Sequence, residues 1–362
     1  MTVSHYFFGA LLIISISACS SSKKDLGTTD IITKAVQPAI ITEKVLNDSD
    51  DPAIWINPAD ASKSLVLGTD KGDTTGGIYV FDLQGKIDRK KTVLHLQRPN
   101  NIDIEYGFDY KGKKIDIAVF TERGRQMIRV YSLPDMQAID GGGIKVFVGD
   151  SLRDPMGIGL YKKASDIYAI VGRKLGPDGS FLWQYKLYAD ANGVVQAKKV
   201  RAFGKFSGKK EIESIVVDDA LGYVYYSDET VGVRQFYASP DSSGKELSLF
   251  ATAGVKNDHE GLSVYPTSEK TGYILLSDQQ ANRFHIFSRE GAAGQPYSHK
   301  LLKIVKVAAI DSDGSDVTAI PLNETFKHGL FVVMSTDKTF HYYRWEDVAG
   351  KTLIADTKLV KN

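Results

Sequence analysis

The 362-residue chain is nearly without cysteine, and its single one, Cys19, excludes an intrachain disulfide, a thiolate phosphatase and any Cys-based zinc site. Charge of one sign is lacking too: 45 Lys+Arg against 44 Asp+Glu leave a net charge of +1, which gives no basic field for nucleic acid. There is no Arg-His-Gly-x-Arg nucleophile loop and no His pair at metal-ligand spacing. The apolar run Phe7 to Ile16, about ten residues interrupted by Gly9 and Ser15, is too short to span a bilayer. What is present, 43% apolar and 25% charged residues, rules out disordered, collagenous and polytopic membrane classes and suffices for one large core or two medium ones.

The Phe7 to Ile16 run suits the h-region of an export signal, and it ends in Ile16-Ser17-Ala18-Cys19. That ending resembles the lipobox of bacterial lipoproteins. The resemblance implies lipidation of Cys19, a signal over residues 1–19, a Ser/Lys/Thr-rich tether over 20–44 and a working domain over 45–362. The domain is then expected outside the cytoplasm, anchored by lipid to the bacterial outer membrane and facing the periplasm or the cell surface. The segment Met1 to Tyr6 has no Lys or Arg, so a plain cleaved signal peptide is the alternative.

Internal repeats organise the rest. A strand-like string with a central aromatic recurs around Phe81, Tyr131, Tyr185, Phe236, Phe287 and Tyr343, at spacings of 50, 54, 51, 51 and 56 residues. A β-rich run ending in polar groups precedes each by roughly ten residues, as in Leu65 to Lys71 and Ile115 to Arg123. A third string comes before that one, at Pro52-Ala53-Ile54, Ile102-Asp103-Ile104, Met156-Gly157-Ile158, Glu213-Ser214-Ile215, Glu260-Gly261-Leu262 and Asp313-Gly314. Three strings in phase over six copies predict an all-β fold, a six-bladed β-propeller of four-stranded antiparallel blades around a central channel. A pair of β-sandwiches would show similar turn spacing but not this phase.

In a propeller the first strand of each blade lines the axis, so the starts of the third strings should converge. They carry Asp50-Asp51, Asn100-Asn101 with Asp103, Met156, Glu213, Asp258 with Glu260, and Asp311 with Asp313 and Asp316. Carboxylates so crowded raise one another's pKa unless cations intervene, and hard oxygen donors without Cys favour Ca²⁺ over a transition metal. The ends of the second strings carry Lys71, Glu122-Arg123, Arg173-Lys174, Asp228-Glu229 and Asp278-Gln279. Lysines and arginines beside an acidic ring suit a substrate with many anionic oxygens, phosphate above all. His259 reads as structural, since strand alternation turns it away from Asp258 and Glu260. The turn Gly208-Lys209-Lys210 reads as solvated.

At these residues the sequence resembles the β-propeller phytases, calcium-dependent alkaline 3-phytases that act on myo-inositol hexakisphosphate (phytate). The segments that carry the resemblance are Asp50-Asp51-Pro52-Ala53-Ile54-Trp55, Asn100-Asn101-Ile102-Asp103-Ile104, Glu122-Arg123, Gly172-Arg173-Lys174, Glu213 to Asp219, Asp258-His259-Glu260-Gly261-Leu262 and Asp313-Gly314, spread from about Val45 to Gly350. The resemblance implies several Ca²⁺ ions, with Glu213, Glu229, Asp258, Glu260 and Asp313 holding the catalytic ones. Asp51, Asn101 and Asp103 would hold calcium or order the ring. Lys71, Arg123 and Lys174 would grip phosphates, joined at the substrate by Arg173 and Gln279, and the catalytic set would be Lys71, Arg123, Lys174, Glu213 and Glu229.

Three positions depart from the family pattern: Met156 stands for a Tyr, Glu105 for an Arg, and Met334-Ser335-Thr336 for Gln-Asp-Gly. The expected reaction is metal-assisted phosphomonoester hydrolysis without a covalent phosphoenzyme, by a monomer whose partner is the small polyphosphate. Another phosphoester, a lactone, or a purely binding propeller are the alternatives.

Overall fold

The middle strands of the repeats are apolar without alternation, and their packing explains it. Leu65–Asp70, Gly76–Phe81, Gly272–Asp278 and Leu330–Ser335 are buried at every position, because each sheet has a neighbouring sheet on both faces. The structure is a computed structural model that describes residues 1–2 and 29–355; Cys19 and the apolar run before it lie outside the described residues.

Six small sheets form a ring, a six-bladed β-propeller. The innermost strands of blades one to six are Ser49–Trp55, Pro99–Tyr110, Pro155–Lys163, Ile215–Asp218, His259–Pro266 and Ser315–Thr318. Within a blade, successive strands pair antiparallel from the axis outwards. Six hydrophobic clusters each fill one gap between blades, for example Ile158, Leu160 and Val171 against Val119, Val130 and Phe147 between blades two and three.

The chain closes the ring from its N-terminal side. Ile40–Ile41 pairs antiparallel with Thr339–Arg344 as the outer strand of blade six, so one blade is built from both ends of the sequence. Asp30–Val36 adds a fifth strand to blade five, parallel to Leu301–Val307. The expected tether of 20–44 therefore runs too far: residues 30–41 are part of the propeller. A strand that completes a blade at the far end of the chain has no repeat context of its own.

Two local devices set the axis. Register shifts fall at the same place in four innermost strands, between Ser49 and Pro52, Pro99 and Ile102, Pro155 and Ile158, and His259 and Leu262. Such a bulge lets consecutive residues such as Asp50-Asp51 and Asn100-Asn101 aim at different targets. Glycine then permits the close approach of blades: a Cβ on Gly157 would lie 2.0 Å from the Glu213 carbonyl oxygen, and one on Gly314 2.5 Å from that of Asp50.

Below these points the blades are stitched by side chains that accept a backbone N–H from the next blade. Asp51 Oδ2 accepts from Ile102 at 3.0 Å, Asp103 Oδ2 from Leu160 at 2.7 Å, Ser214 Oγ from Leu262 at 2.7 Å, and Asp316 Oδ2 from Ile54 at 2.8 Å. The carboxylates among them line a narrow cavity of about 40 Å³ to which all six innermost strands contribute, which marks it as the central channel.

Candidate active site

At the bulges the other member of each pair faces the channel mouth. Lys71, at the end of the strand next to the axis in blade one, reaches across to put Nζ 2.9 Å from Asp50 Oδ1 and 2.8 Å from Asp313 Oδ2 of blade six. Asn100 of blade two donates through Nδ2 to Asp50 Oδ2 at 3.2 Å and to Glu213 Oε1 of blade four at 3.3 Å. Gln279 of blade five hydrogen-bonds Asp313 through its amide. Lys174 of blade three pairs with Glu211 at 3.1 Å. All six blades thus supply a polar group to one mouth.

Two acidic cradles sit here and share one residue. The carboxylate oxygens of Glu211, Glu213 and Glu229, and those of Glu229, Asp258 and Glu260, each lie within 4.8 Å of one another. Burial, then the charge of Asp50, pushes Glu213 up to about 8. Burial also raises Glu260 well above the carboxylate range and raises Glu229 and Asp313. Burial alone would favour the neutral amine of Lys71, but Asp50 and Asp313 outweigh it and hold the ammonium charged. Arg123 is lowered, chiefly by burial, and feels Glu213 and Asp50 as its nearby negative charges.

The donor set fits a hard divalent cation. Every candidate ligand is a carboxylate or amide oxygen, and the buried atoms Glu260 Oε2 and Asn100 Oδ1 find no hydrogen-bond partner among the described residues. A buried acceptor without a donor is costly unless a cation completes it.

The family profile for phytases matches residues 6–345. The chain belongs to the phytase family. It is 29% identical over 325 residues to a "3-phytase" of Bacillus subtilis (strain 168), a match that covers 83% of this chain and 80% of the relative. Its activity is that of a phytase-family hydrolase, which removes the purely binding propeller from consideration.

On this phytase-family scaffold the expected residues separate into groups. Lys71, Arg123, Lys174, Glu213, Glu229, Asp258, Glu260, Asp313 and Gln279 gather at or beside the mouth. Asp51, Asn101 and Asp103 lie in the channel instead, where Asp51 and Asp103 join blades. Arg173 does not face the mouth. It is fully enclosed, donating to Asp150 Oδ2 at 2.8 Å, to the Leu152 carbonyl at 3.0 Å and to the Ser180 carbonyl at 3.0 Å, with its guanidinium over the Phe147 ring. Adjacent strand residues face opposite ways, so only one of Arg173 and Lys174 could face the mouth.

Of the departures, Glu105 lies in the middle of its strand, where its carboxylate accepts the Tyr106 N–H at 2.7 Å and faces Asp219, and it does not bear on the mouth. Met156 does: it is buried, brings no hydroxyl, and its carbonyl accepts from Thr121 Oγ1 at 2.7 Å. His259 is structural as expected, with Nε2 2.8 Å from the Ala251 carbonyl oxygen.

Sequence reasoning missed Glu211, Gln280 and Lys210. Glu211 stands two residues before Glu213, the spacing that puts side chains on one face of extended chain, and that signal was available. Gln280 hydrogen-bonds Asp258 through its side chain and accepts the Asp258 N–H at 3.1 Å. Lys210, expected in a solvated turn, forms ion pairs with Glu229 and Asp258.

Proposed function

We propose that the mouth hydrolyses phosphomonoester bonds of phytate with calcium held in the two acidic cradles. The observation that carries this reading is the pair of oxygen-only cradles sharing Glu229, beside Lys71, Arg123 and Lys174. Calcium bound there would orient a water and offset the charge of the transferring phosphoryl group. The protein's own part is binding and orientation. Lys71, rigidly set between Asp50 and Asp313, presents a fixed ammonium to one phosphate. Arg123, less tightly paired, offers a guanidinium for a second contact, and Lys174, 43% exposed, can leave Glu211 for an incoming anion. Asn100 links Asp50 to Glu213 and so keeps the cationic and acidic halves in register.

The test is phosphate release from phytate at about pH 7.5, in calcium and then in excess chelator, with a Lys71→Ala/Arg123→Ala double variant beside the wild type. Calcium-dependent release that the double variant loses supports the reading; release indifferent to the chelator contradicts it. From the lipobox-like ending Ile16-Ser17-Ala18-Cys19 we separately propose that the enzyme is exported and anchored through Cys19, and mass spectrometry of the membrane-bound protein tests this by the presence or absence of a lipidated N-terminal Cys19.

A further inference from the structure

Lys210 lies in the turn that leads into blade four. Its Nζ is 2.7 Å from Glu229 Oε2 and 2.7 Å from Asp258 Oδ2, bridging blades four and five. These carboxylates are two of the three members of the Glu229/Asp258/Glu260 cradle. The Lys210 side chain is 46% exposed while those of Glu229 and Asp258 are 2% and 10% exposed, so the ammonium reaches in from solvent on a flexible stem. Glu229 Oε2 makes the ion pair without a well-directed hydrogen bond. Lys71 contrasts with it: that side chain is 16% exposed and hydrogen-bonds both of its carboxylates.

We propose that Lys210 is a tethered competitor of the metal ion: its ammonium neutralises Glu229 and Asp258 in the metal-free protein, and calcium entering the Glu229/Asp258/Glu260 cradle displaces it towards solvent. This rests on the reading that the cradle takes calcium. The two cations exclude each other, because calcium needs the same oxygens at about 2.3–2.6 Å. They are not equivalent occupants. Lys210 leaves the buried Glu260 Oε2 without a partner, whereas a cation among the three carboxylates satisfies it as well. The exchange therefore runs towards the metal when calcium is plentiful, and Lys210 sets the concentration at which it does so. A lysine suits the task because its charge is compact and its stem flexible.

The test is a calorimetric calcium titration of the purified protein without phosphate, comparing wild type, Lys210→Gln and Lys210→Arg. The expected result is that Lys210→Gln tightens a calcium-binding step about tenfold, while Lys210→Arg, which keeps the charge, stays within about threefold of wild type. In chelator the Gln variant should melt below wild type, and in saturating calcium it should match or exceed it. Calcium affinity unchanged or weaker in Lys210→Gln, with the wild type still binding calcium, overturns the role of Lys210 and leaves the cradle reading intact. A wild type that binds no calcium overturns both.

Discussion

Neighbouring residues at this mouth do unlike work, and Arg173 and Lys174 show it most clearly. Arg173 is buried against Asp150 and two carbonyls, so Arg173→Met should cost about 2–4 kcal/mol of stability, read by denaturant unfolding, and leave the KM of surviving enzyme near wild type. Lys174→Ala should do the reverse, with an unchanged melting curve and kcat/KM for phytate lower by about 10- to 100-fold, the value of a charge-assisted contact. The sequence showed that a basic pair ends that strand but not which member faces the mouth, since facing depends on a register that only the folded sheet supplies. Lys210 escaped for a related reason. Nothing in Gly208-Lys209-Lys210 distinguishes a lysine in water from one folded over two carboxylates of different blades.

At the scale of strands, the repeat made most of the propeller legible, because six copies of the same three strings repeat one packing problem. The strands outside the repeat stayed hidden. Ile40–Ile41 is a two-residue strand whose role comes from hydrogen bonds to the other end of the chain: Ala39 N–H to Tyr342 O at 2.8 Å, Thr42 N–H to Phe340 O at 3.0 Å, and Phe340 N–H to Thr42 Oγ1 at 2.9 Å. Removing residues 1–41 should leave blade six with an open edge and lower the melting temperature by more than about 10 °C, whereas removing residues 1–36 spares that closure and should cost less than half as much. Scanning calorimetry of the two truncations decides it; equal losses would mean that Ile40–Ile41 does not close the ring. The bulges were likewise invisible, yet they explain how paired residues such as Asp50-Asp51 serve both mouth and channel.

For the whole molecule, the consequence of so many buried carboxyl groups around one axis is a dependence of stability on pH and metal. Glu213 is raised from about 4.5 to about 8, Asp103 to about 7 and Asp316 to about 6, in each case mainly by burial. A carboxyl group whose folded pKa is raised binds more protons folded than unfolded between the two values. The metal-free protein must therefore lose stability as pH rises from about 4.5 through about 8. Thermal melts in chelator should fall by at least about 5 °C between about pH 5 and pH 8.5, and calcium should flatten or reverse the slope by taking the place of the protons. A metal-free protein that grows more stable over that range would contradict the burial of these groups in un-ionised form.

The cradles built around Glu229 are proposed to hold the calcium with which this phytase-family enzyme cleaves phytate. Phosphate release from phytate, followed over a calcium titration in wild type and Glu229→Gln, tests it most directly, because Glu229 is the one ligand both cradles share. Wild-type activity should fall to background in chelator and return with calcium. Glu229→Gln should stay at least about 100-fold lower even at saturating calcium. Wild-type turnover that survives the chelator, or a Glu229→Gln enzyme as active as wild type at the same calcium concentration, would contradict it.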